Sequence, residues 1–366
     1  MKFTCERSVL LKEISIAQEI ISTKNVISIL SNIYLEAEND NLTIKATDTK
    51  VNFETKVPVT VEDPGSTTVF GDKFLGILNA SPDGELTFEQ KDGKIIIESA
   101  VKRGHWNLKS IASEKFPEFS VSSADFFNLP IRDFKDMIEQ TVFAVSDDET
   151  RYFMNGVFFE KAEDKVVMVA TDGRRLAYIA KPADSSIKDF AGVIVPPKIL
   201  NILAKRAGDE GPVSISVTDR TIFVRFGSYS LSSVLLEGQF PNYRRVIPES
   251  QIHSLSINRL EMLDALRRVS LLVEQKSHRV YLGLTPGSMA VYSEESDIGT
   301  ARAEIPCKYD GDELSIALNY RYIEEPFKVM GNDEITIRFT EATKAITIQP
   351  LPEKDFFHII MPMQLD

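Results

Sequence analysis

The chain has 366 residues, more than a single hydrophobic core usually holds, and this length favours two or three domains. Hydrophobic residues make up 43% and charged residues 26% of the chain, and no apolar run approaches the roughly 20 residues of a membrane span. The 42 basic and 54 acidic side chains give a net charge of −12, which is unlike a conventional nucleic-acid-binding protein. Basic residues gathered on one surface would remove this objection, because phosphate contacts depend on the local charge.

Cysteine use and the first residues indicate the compartment. Cys5 and Cys307 are the only cysteines and form no CxxC pair, which favours a reducing compartment and argues against a disulfide framework or a zinc site. The opening segment lacks the apolar region of a secretory signal. We therefore expect a cytoplasmic protein.

The predicted elements repeat three times along the chain. In each third, an apolar-periodic segment predicts an amphipathic helix, and the alternating residues after it predict an antiparallel hairpin. A shorter helix and a second hairpin follow in each third. In chain order the predicted elements are helix 8–21, hairpin 32–48, helix 73–79, hairpin 85–99, helix 131–145, hairpin 155–172, helix 198–206, hairpin 212–226, helix 259–273, hairpin 279–295 with its turn at Pro286-Gly287, helix 320–330 and hairpin 334–349.

The spacing of matching residues predicts the domain organisation. Asp48 and Asp172 are 124 residues apart, and the same spacing separates Phe116-Pro117 from Phe240-Pro241. A period near 120 is too long for a solenoid, so we predict three similar domains. Each is α+β, with two helices packed on antiparallel sheets. With boundaries in Pro- and Ser-rich stretches, the predicted domains are 1–121, 122–247 and 248–366.

The sequence offers little support for an enzyme, because the usual nucleotide-binding, zinc-protease and serine-hydrolase motifs do not occur in it. The alternative from this class is a metal-dependent hydrolase that uses Asp147, Asp148 and Asp172. Metal cages need ligands that converge from several elements, so we favour a solvated loop for the first two. Asp-Gly suits tight turns, so we favour a turn for the third. No catalytic residue, metal site or cofactor is predicted, and a monomeric scaffold without a DNA function is the other alternative.

Basic side chains lie on or beside all six predicted helices. Surface helices commonly carry lysine and arginine, so this pattern indicates a shared function only if the fold places the helices on one wall. The residues are Arg7, Lys12, Lys73, Arg132, Lys135, Lys198, Lys205, Arg206, Arg259, Arg267, Arg268, Arg321 and Lys328.

Several separated segments resemble the bacterial DNA polymerase III beta subunit, the sliding clamp. They are MKFTCER at the start, RYFMNGVFFE (151–160), ATDGRRLA (170–177), GQFPNYRRVIP (238–248) and IIMPMQL (359–365). They occur in the family's order, so the resemblance runs from end to end. It implies a non-catalytic processivity factor, a head-to-tail homodimer that forms a six-domain ring around duplex DNA. It also implies partners that bind through short peptide motifs: the replicative polymerase, the clamp loader, repair polymerases and mismatch-repair factors.

The implied ring has physically sensible dimensions. Twelve helices spaced by about 10 Å give a circumference of about 120 Å, and a ring of helix axes about 38 Å across. Subtracting a helix radius of about 5 Å on each side leaves roughly 28 Å, enough for duplex DNA and a water layer. The residues that would face the DNA are Arg7, Lys12, Lys24, Lys73, Arg132, Lys135, Arg151, Tyr152, Lys198, Lys205, Arg206, Arg259, Arg267 and Arg268.

The resemblance also implies a peptide-binding cleft and a subunit interface. Methionines suit a surface that accepts several related peptides, although these residues could also form the core of a domain junction. The cleft residues are Met154, Thr171, Gly173, Arg174, Arg175, Leu176, Pro241, Arg245, Val246, Ile359, Ile360, Met361, Pro362 and Met363. The interface residues are Trp106 and Leu108 on one side and Leu271 and Leu272 on the other, and the two leucines could instead belong to a domain core.

Four features depart from the family's pattern. The loop Ser146-Asp147-Asp148 is acidic where the family has polar or basic residues that touch DNA, which puts DNA contact there in doubt. Pro197 occupies a position that is often basic, and Trp106 stands where the family has phenylalanine. The ending Gln364-Leu365-Asp366 replaces a basic residue and puts the peptide preference in doubt.

Overall fold

The computed structural model describes residues 1–21, 28–99, 101, 104–185 and 187–364. The chain folds into two compact units, each assembled from two separate stretches of sequence. The first unit contains Met1–Arg132 and Lys205–Leu235, and the second contains Asp133–Ala204 and Leu236–Asp366.

Six α-helices occur in the described residues, and each coincides with a predicted helix. None of these helices has the length and apolar character needed to cross a membrane. They are α1 (Arg7–Ile20), α2 (Gly71–Ala80), α3 (Ile131–Glu139), α4 (Pro197–Arg206), α5 (Arg259–Val269) and α6 (Tyr320–Val329).

Two helices end earlier than their apolar periodicity predicts. Helix α3 ends at Glu139 and α5 ends at Val269, and a short 3-10 turn follows each of them. Beyond α3, the hydroxyl of Thr141 donates a 2.7 Å hydrogen bond to the carbonyl of Met137. Beyond α5, the hydroxyl of Ser270 donates to the carbonyl of Arg267 at 3.0 Å. Such local side-chain bonds compete with regular helix geometry, which accounts for the early ends.

The described strands account for all six predicted hairpins. In chain order they are β1 (Lys2–Glu6), β2 (Asn32–Glu38), β3 (Asn41–Thr47), β4 (Val51–Pro58), β5 (Thr60–Asp63), β6 (Gly65–Phe70), β7 (Glu85–Lys91), β8 (Lys94–Ser99), β9 (Gly104–Ile111), β10 (Phe127–Pro130), β11 (Val157–Ala162), β12 (Lys165–Thr171), β13 (Arg175–Pro182), β14 (Val193–Val195), β15 (Pro212–Val217), β16 (Thr221–Phe226), β17 (Tyr229–Val234), β18 (His253–Asn258), β19 (Arg279–Thr285), β20 (Ser288–Tyr292), β21 (Arg302–Lys308), β22 (Leu314–Asn319), β23 (Glu334–Phe339), β24 (Ile346–Leu351) and β25 (Phe356–Ile360). The turn predicted at Pro286-Gly287 is confirmed, with Thr285 opposite Ser288 and Gly287 at φ 80°.

The first unit contains an antiparallel sheet of 13 strands, in the order β10-β15-β16-β17-β4-β3-β2-β6-β9-β8-β7-β1-β5. Strand β4 pairs with β17, a strand more than 170 residues later in the chain. Alternate residues of β4 are buried, as the period of two predicts. The core contains fully buried aromatic rings, and Phe3 stacks on Phe88 at a centroid distance of 4.7 Å.

The second unit contains an antiparallel sheet of 12 strands, in the order β14-β11-β12-β13-β25-β24-β23-β18-β21-β20-β19-β22. Strand β13 pairs with β25, so residues near 176 lie beside residues near 359. This pairing brings the last strand of the chain against the segment that carries the ATDGRRLA motif.

Candidate functional site

The floor of the candidate cleft is formed where β12, β13 and β25 lie side by side in the second unit. Leu176 is paired with Thr171 on one side and with Ile359 on the other. Leu176 and Ile359 are buried in one hydrophobic cluster with Phe240 and Tyr243. The chain therefore brings three of the segments that carry the family resemblance to one place on the sheet.

The turn between β12 and β13 is built by Thr171 and Asp172. A carboxylate oxygen of Asp172 accepts hydrogen bonds from the backbone N–H groups of Arg174 at 2.9 Å and Arg175 at 3.1 Å. Gly173 adopts φ 87°, which glycine reaches without steric cost. The structure thus gives Asp172 the turn role favoured from the sequence. In the described part of the chain no group of three or more acidic, histidine or cysteine side chains is arranged to hold a metal ion.

The guanidinium of Arg175 contacts three hydrogen-bond acceptors and one aromatic ring within the second unit. It donates to the Asp172 carboxylate at 3.1 Å, to the carbonyl of Phe143 at 2.7 Å and to the carboxylate of Glu325. It also lies 4.6 Å from the ring centroid of Tyr322, at cation–π distance. Only 10% of the side chain is exposed. Arg175 therefore holds the turn in place, whereas Arg174 and Arg245 are exposed at the rim.

The remaining cleft residues fall into a rim and a buried layer. Gly173, Pro241, Val246 and Met361 are exposed, and Pro362 and Met363 are half-buried. Thr171, Met154 and Ile360 are buried. The rim is fixed by two backbone hydrogen bonds, from Met361 N–H to the Arg174 carbonyl at 2.9 Å and from Met363 N–H to the Ala317 carbonyl at 2.8 Å.

Two residues near the cleft were not singled out from the sequence. Tyr322 packs under Arg175, and burial raises the pKa of its phenol. His358 lies on β25 beside Ile359 and is buried, with Nε2 3.3 Å from the Gln140 side-chain oxygen. Burial, with a smaller contribution from Arg175, lowers the pKa of His358 to about 3, so its imidazole is neutral at pH 7. Neither residue belongs to a recognisable motif, so the sequence carried no signal for them.

The predicted DNA-facing residues differ in how firmly the chain holds them. Arg7, Arg206 and Arg259 donate to intrachain acceptors at Leu78, Glu19 and Phe327, respectively. Lys135 and Lys198 also have intrachain partners and are half-buried. The predicted residue Lys24 lies outside the described residues. The exposed members of the set are Lys12, Lys73, Arg132, Tyr152, Lys205, Arg267 and Arg268. Five of them also lie at ion-pair distance from a carboxylate: Lys12 from Glu13, Lys73 from Asp72, Lys205 from Glu19, and both Arg267 and Arg268 from Asp264.

The acidic loop before β11 is ordered by its own side chains. The Asp148 carboxylate accepts from the Thr150 hydroxyl at 2.6 Å and from Arg151 Nε at 2.9 Å. These hydrogen bonds, chiefly those of Thr150, lower the pKa of Asp148. Arg151, a predicted DNA-facing residue, is therefore partly neutralised by a neighbouring carboxylate.

The predicted interface residues lie in two regions, on β9 in the first unit and in the 3-10 turn Ser270–Leu272 after α5 in the second. On β9, residues 104–109 pair with β8, and only Ser110 and Ile111 pair with β6, so among the described residues the other edge of 104–109 carries no strand. Trp106 and Leu108 are half-buried on this segment. Leu271 follows α5 with 77% of its surface exposed, and Leu272 is half-buried.

In the second unit, β21 also has a segment that is paired on one side. Residues 302–306 pair with β20, whereas Ser256 and Ile257 of β18 reach only Lys308 and Cys307. Within the described ranges, the second edge of 302–306 is open. Open edges of this kind are suited to pairing with another chain.

The comparisons with known proteins agree with this architecture. Family models of the DNA polymerase III beta subunit match the chain in three successive parts: the N-terminal domain at 1–120, the central domain at 128–242 and the C-terminal domain at 244–364. The chain is 46% identical to the beta sliding clamp of Treponema pallidum and 31% identical to that of Caulobacter vibrioides, each over the full length of both chains. It is also similar to the crystal structure of a sliding clamp from Pseudomonas aeruginosa bound to griselimycin, with a TM-score of 0.93 and 26% identity over all of both chains.

Proposed function

The chain belongs to the family of the DNA polymerase III beta subunit, the bacterial sliding clamp, and from this we propose how its own residues perform the clamp function. Members of this family are non-catalytic processivity factors of the polymerase holoenzyme, and they bind DNA and polymerase. The chain has their three-domain clamp fold, with helices on antiparallel sheets. The observation that carries the assignment is the match of three successive family domains along the whole chain.

We propose a homodimer that closes head to tail into a ring around duplex DNA. The edge of β9 at 104–109 would pair with the edge of β21 at 302–306 in a second copy, which would satisfy the backbone groups of both edges. Leu271 and Leu272 would pack against Trp106 and Leu108 beside this pairing. The exposure of Leu271 supports the proposal, because an isolated exposed leucine gains free energy when a partner covers it.

Contacts with DNA are proposed to be weak, electrostatic and independent of sequence. The exposed lysines and arginines on the helices would supply them, led by Lys12, Lys73, Lys205, Arg267 and Arg268. Retention on DNA would then depend on ring closure rather than on affinity. We also propose that the protein is cytoplasmic and that its three domains span residues 1–121, 122–247 and 248–366.

The cleft is proposed as the exchangeable site for polymerase, clamp loader and repair proteins. An apolar floor with a few polar groups at its rim is the usual form of a peptide site. Leu176 and Ile359 supply the floor, and Val246 and Met361 supply apolar walls that solvent reaches. A short extended peptide with a glutamine and two bulky apolar side chains is expected to bind with micromolar affinity, about −8 kcal/mol.

The test of the clamp function compares circular and linear DNA. The protein is loaded onto nicked circular DNA by an ATP-driven clamp loader, the salt is raised, and the DNA-bound fraction is measured before and after linearisation. We expect retention on the circle and loss after linearisation, because only topology holds the ring. Equal retention on both, or tight binding to a short linear duplex of one sequence, would contradict the proposal. A solution mass near twice 41.1 kDa distinguishes the dimer from a monomeric scaffold.

A further inference from the structure

The turn before β4 in the first unit repeats the hydrogen bonds of the turn before β13. A carboxylate oxygen of Asp48 accepts from the N–H groups of the residues two and three positions later, at 3.0 and 2.7 Å, as that of Asp172 does at 2.9 and 3.1 Å. The Thr47 hydroxyl oxygen accepts from Thr49 N–H at 3.0 Å, and the Thr171 hydroxyl oxygen accepts from Gly173 N–H at 3.1 Å. Thr49 has φ 78° where Gly173 has φ 87°. The positive φ of a β-branched residue shows how strongly the surroundings impose this turn.

The neighbouring strand is placed in the same way at both turns. The N–H of Val234, at the end of β17, donates to the Lys50 carbonyl at 2.9 Å. The N–H of Met361, after β25, donates to the Arg174 carbonyl at the same distance. Val234 and Met361 are exposed to the same degree, 46% and 47%. The first unit therefore contains a second copy of the backbone arrangement that forms the cleft. We call this arrangement of a turn and its neighbouring strand a cradle. The first cradle comprises residues 47–52 and 232–234, and its counterpart at the cleft comprises residues 171–176 and 359–361.

The two cradles differ in the side chains of their floors. Where Leu176 is paired with Ile359, the first cradle pairs Asn52 with Ser232. The Asn52 amide donates to the Ser232 hydroxyl at 3.1 Å, and its oxygen accepts from the Thr47 hydroxyl at 2.6 Å.

One wall position of the first cradle is polar as well. Ser122 lies 124 residues before Val246, the spacing that also relates Asn52 to Leu176. Ser122, Asn52 and Ser232 all line a cavity of about 400 Å³ in the first unit. A groove therefore exists in the first cradle. Apolar residues such as Phe119 and Val121 contribute to its lining, but its floor pair, Asn52 and Ser232, carries hydrogen-bonding groups.

We infer that Asn52 and Ser232 exclude apolar peptides from this second cradle, so that each chain carries one peptide site instead of two. Asn52 and Ser232 keep hydrogen-bonding capacity beyond their mutual bond and the bond from Thr47, and an apolar side chain placed on this floor would leave that capacity unmet. Each such group weakens binding by about tenfold, so the two together lower the affinity about 100-fold. The inference rests on the proposed peptide function of the cleft. It names Asn52 and Ser232 as the residues that restrict peptide binding to the cleft in the second unit.

The experiment counts peptide sites by calorimetry on the full-length dimer, with a peptide that carries one glutamine and two bulky apolar residues. We expect one site per chain in the natural protein and two in the variant Asn52→Leu/Ser122→Val/Ser232→Ile. The matched control is Asn128→Leu/Ser214→Ile, which alters another hydrogen-bonded Asn–Ser cross-strand pair in the same unit, away from any cradle. One site per chain in the folded triple variant, or a second site in the control as well, would overturn the inference.

A reciprocal variant keeps the test decisive if the triple variant does not fold. Leu176→Asn/Ile359→Ser gives the cleft the floor of the first cradle, and peptide affinity should fall about 100-fold while the dimer mass is unchanged. Unchanged affinity in this variant would show that the floor does not set selectivity and would refute the inference. Absence of peptide binding in the natural protein is a different result, since it would refute the proposed function of the cleft itself.

Discussion

Truncation of Leu271 tests the proposed ring interface most directly. Removing three carbons from a leucine forfeits about 2.4 kcal/mol when the side chain passes from water to full burial, at about 0.8 kcal/mol per carbon. Since 77% of Leu271 is exposed in the single chain, about 1.8 kcal/mol of this amount remains to be gained at an interface. A head-to-tail dimer contains two equivalent interfaces, so Leu271→Ala should weaken it by about 3.6 kcal/mol, or several-hundred-fold in Kd.

Sedimentation equilibrium over nanomolar to micromolar concentrations measures this change, and thermal unfolding checks that the monomer remains folded. The matched control is Ile252→Ala, because Ile252 is an aliphatic residue of the same unit with 74% exposure and no proposed role in the ring. The control should dimerise like the natural protein, and Leu271→Ala/Leu272→Ala should yield folded monomers. An undiminished dimer affinity for Leu271→Ala, or an equal loss for Ile252→Ala, would refute the assignment of this interface.

Three further predictions concern the cleft and its supports. Deletion of residues 361–366 removes the hydrogen bonds of Met361 and Met363 and one wall of the cleft. Calorimetry should therefore show that peptide binding is lost, while sedimentation shows an intact dimer. Undiminished peptide affinity would contradict the assignment of this wall. Arg175→Ala leaves the Asp172 carboxylate and the Phe143 carbonyl without their donor, so urea titration should show that the free energy of unfolding falls by about 2–4 kcal/mol. The control Arg174→Ala alters an exposed side chain and should change the free energy of unfolding by less than about 0.5 kcal/mol. Equal effects would show that the Arg175 contacts do not stabilise the fold. The pKa of His358 is lowered to about 3 in the folded chain from its ordinary value of 6.5. Between these pH values only the unfolded chain binds the proton, so the free energy of unfolding should fall as pH falls from about 6.5, by up to about 1.4 kcal/mol per pH unit. His358→Phe should flatten this pH dependence in urea titrations, and an unchanged slope would show that other groups cause it.

Local patterns in the sequence determined the elements and their repetition. The apolar period of each helix and the alternation of each hairpin involve residues close together in the chain, so the segments that became α1 to α6 and the six hairpins could be identified without a tertiary structure. The 124-residue spacing likewise identified Asp48 and Asp172 as equivalent, and both carboxylates do bind the backbone of their turns. The early ends of α3 and α5 were missed, because hydroxyl bonds to the preceding turn do not alter the apolar period.

The tertiary structure alone decided which of the resembling residues face solvent and which hold the fold. Arg174 and Arg175 are adjacent and chemically identical, yet one is exposed at the rim and the other is bound by groups from three separate segments of the chain. The floors of the two cradles are also set by strand pairs, 52 with 232 and 176 with 359, whose members are about 180 residues apart. No periodicity or motif encodes such partners, because the pairing of distant strands follows from the packing of the whole sheet. The sequence therefore determined what each segment is, and the packing determined which segments meet.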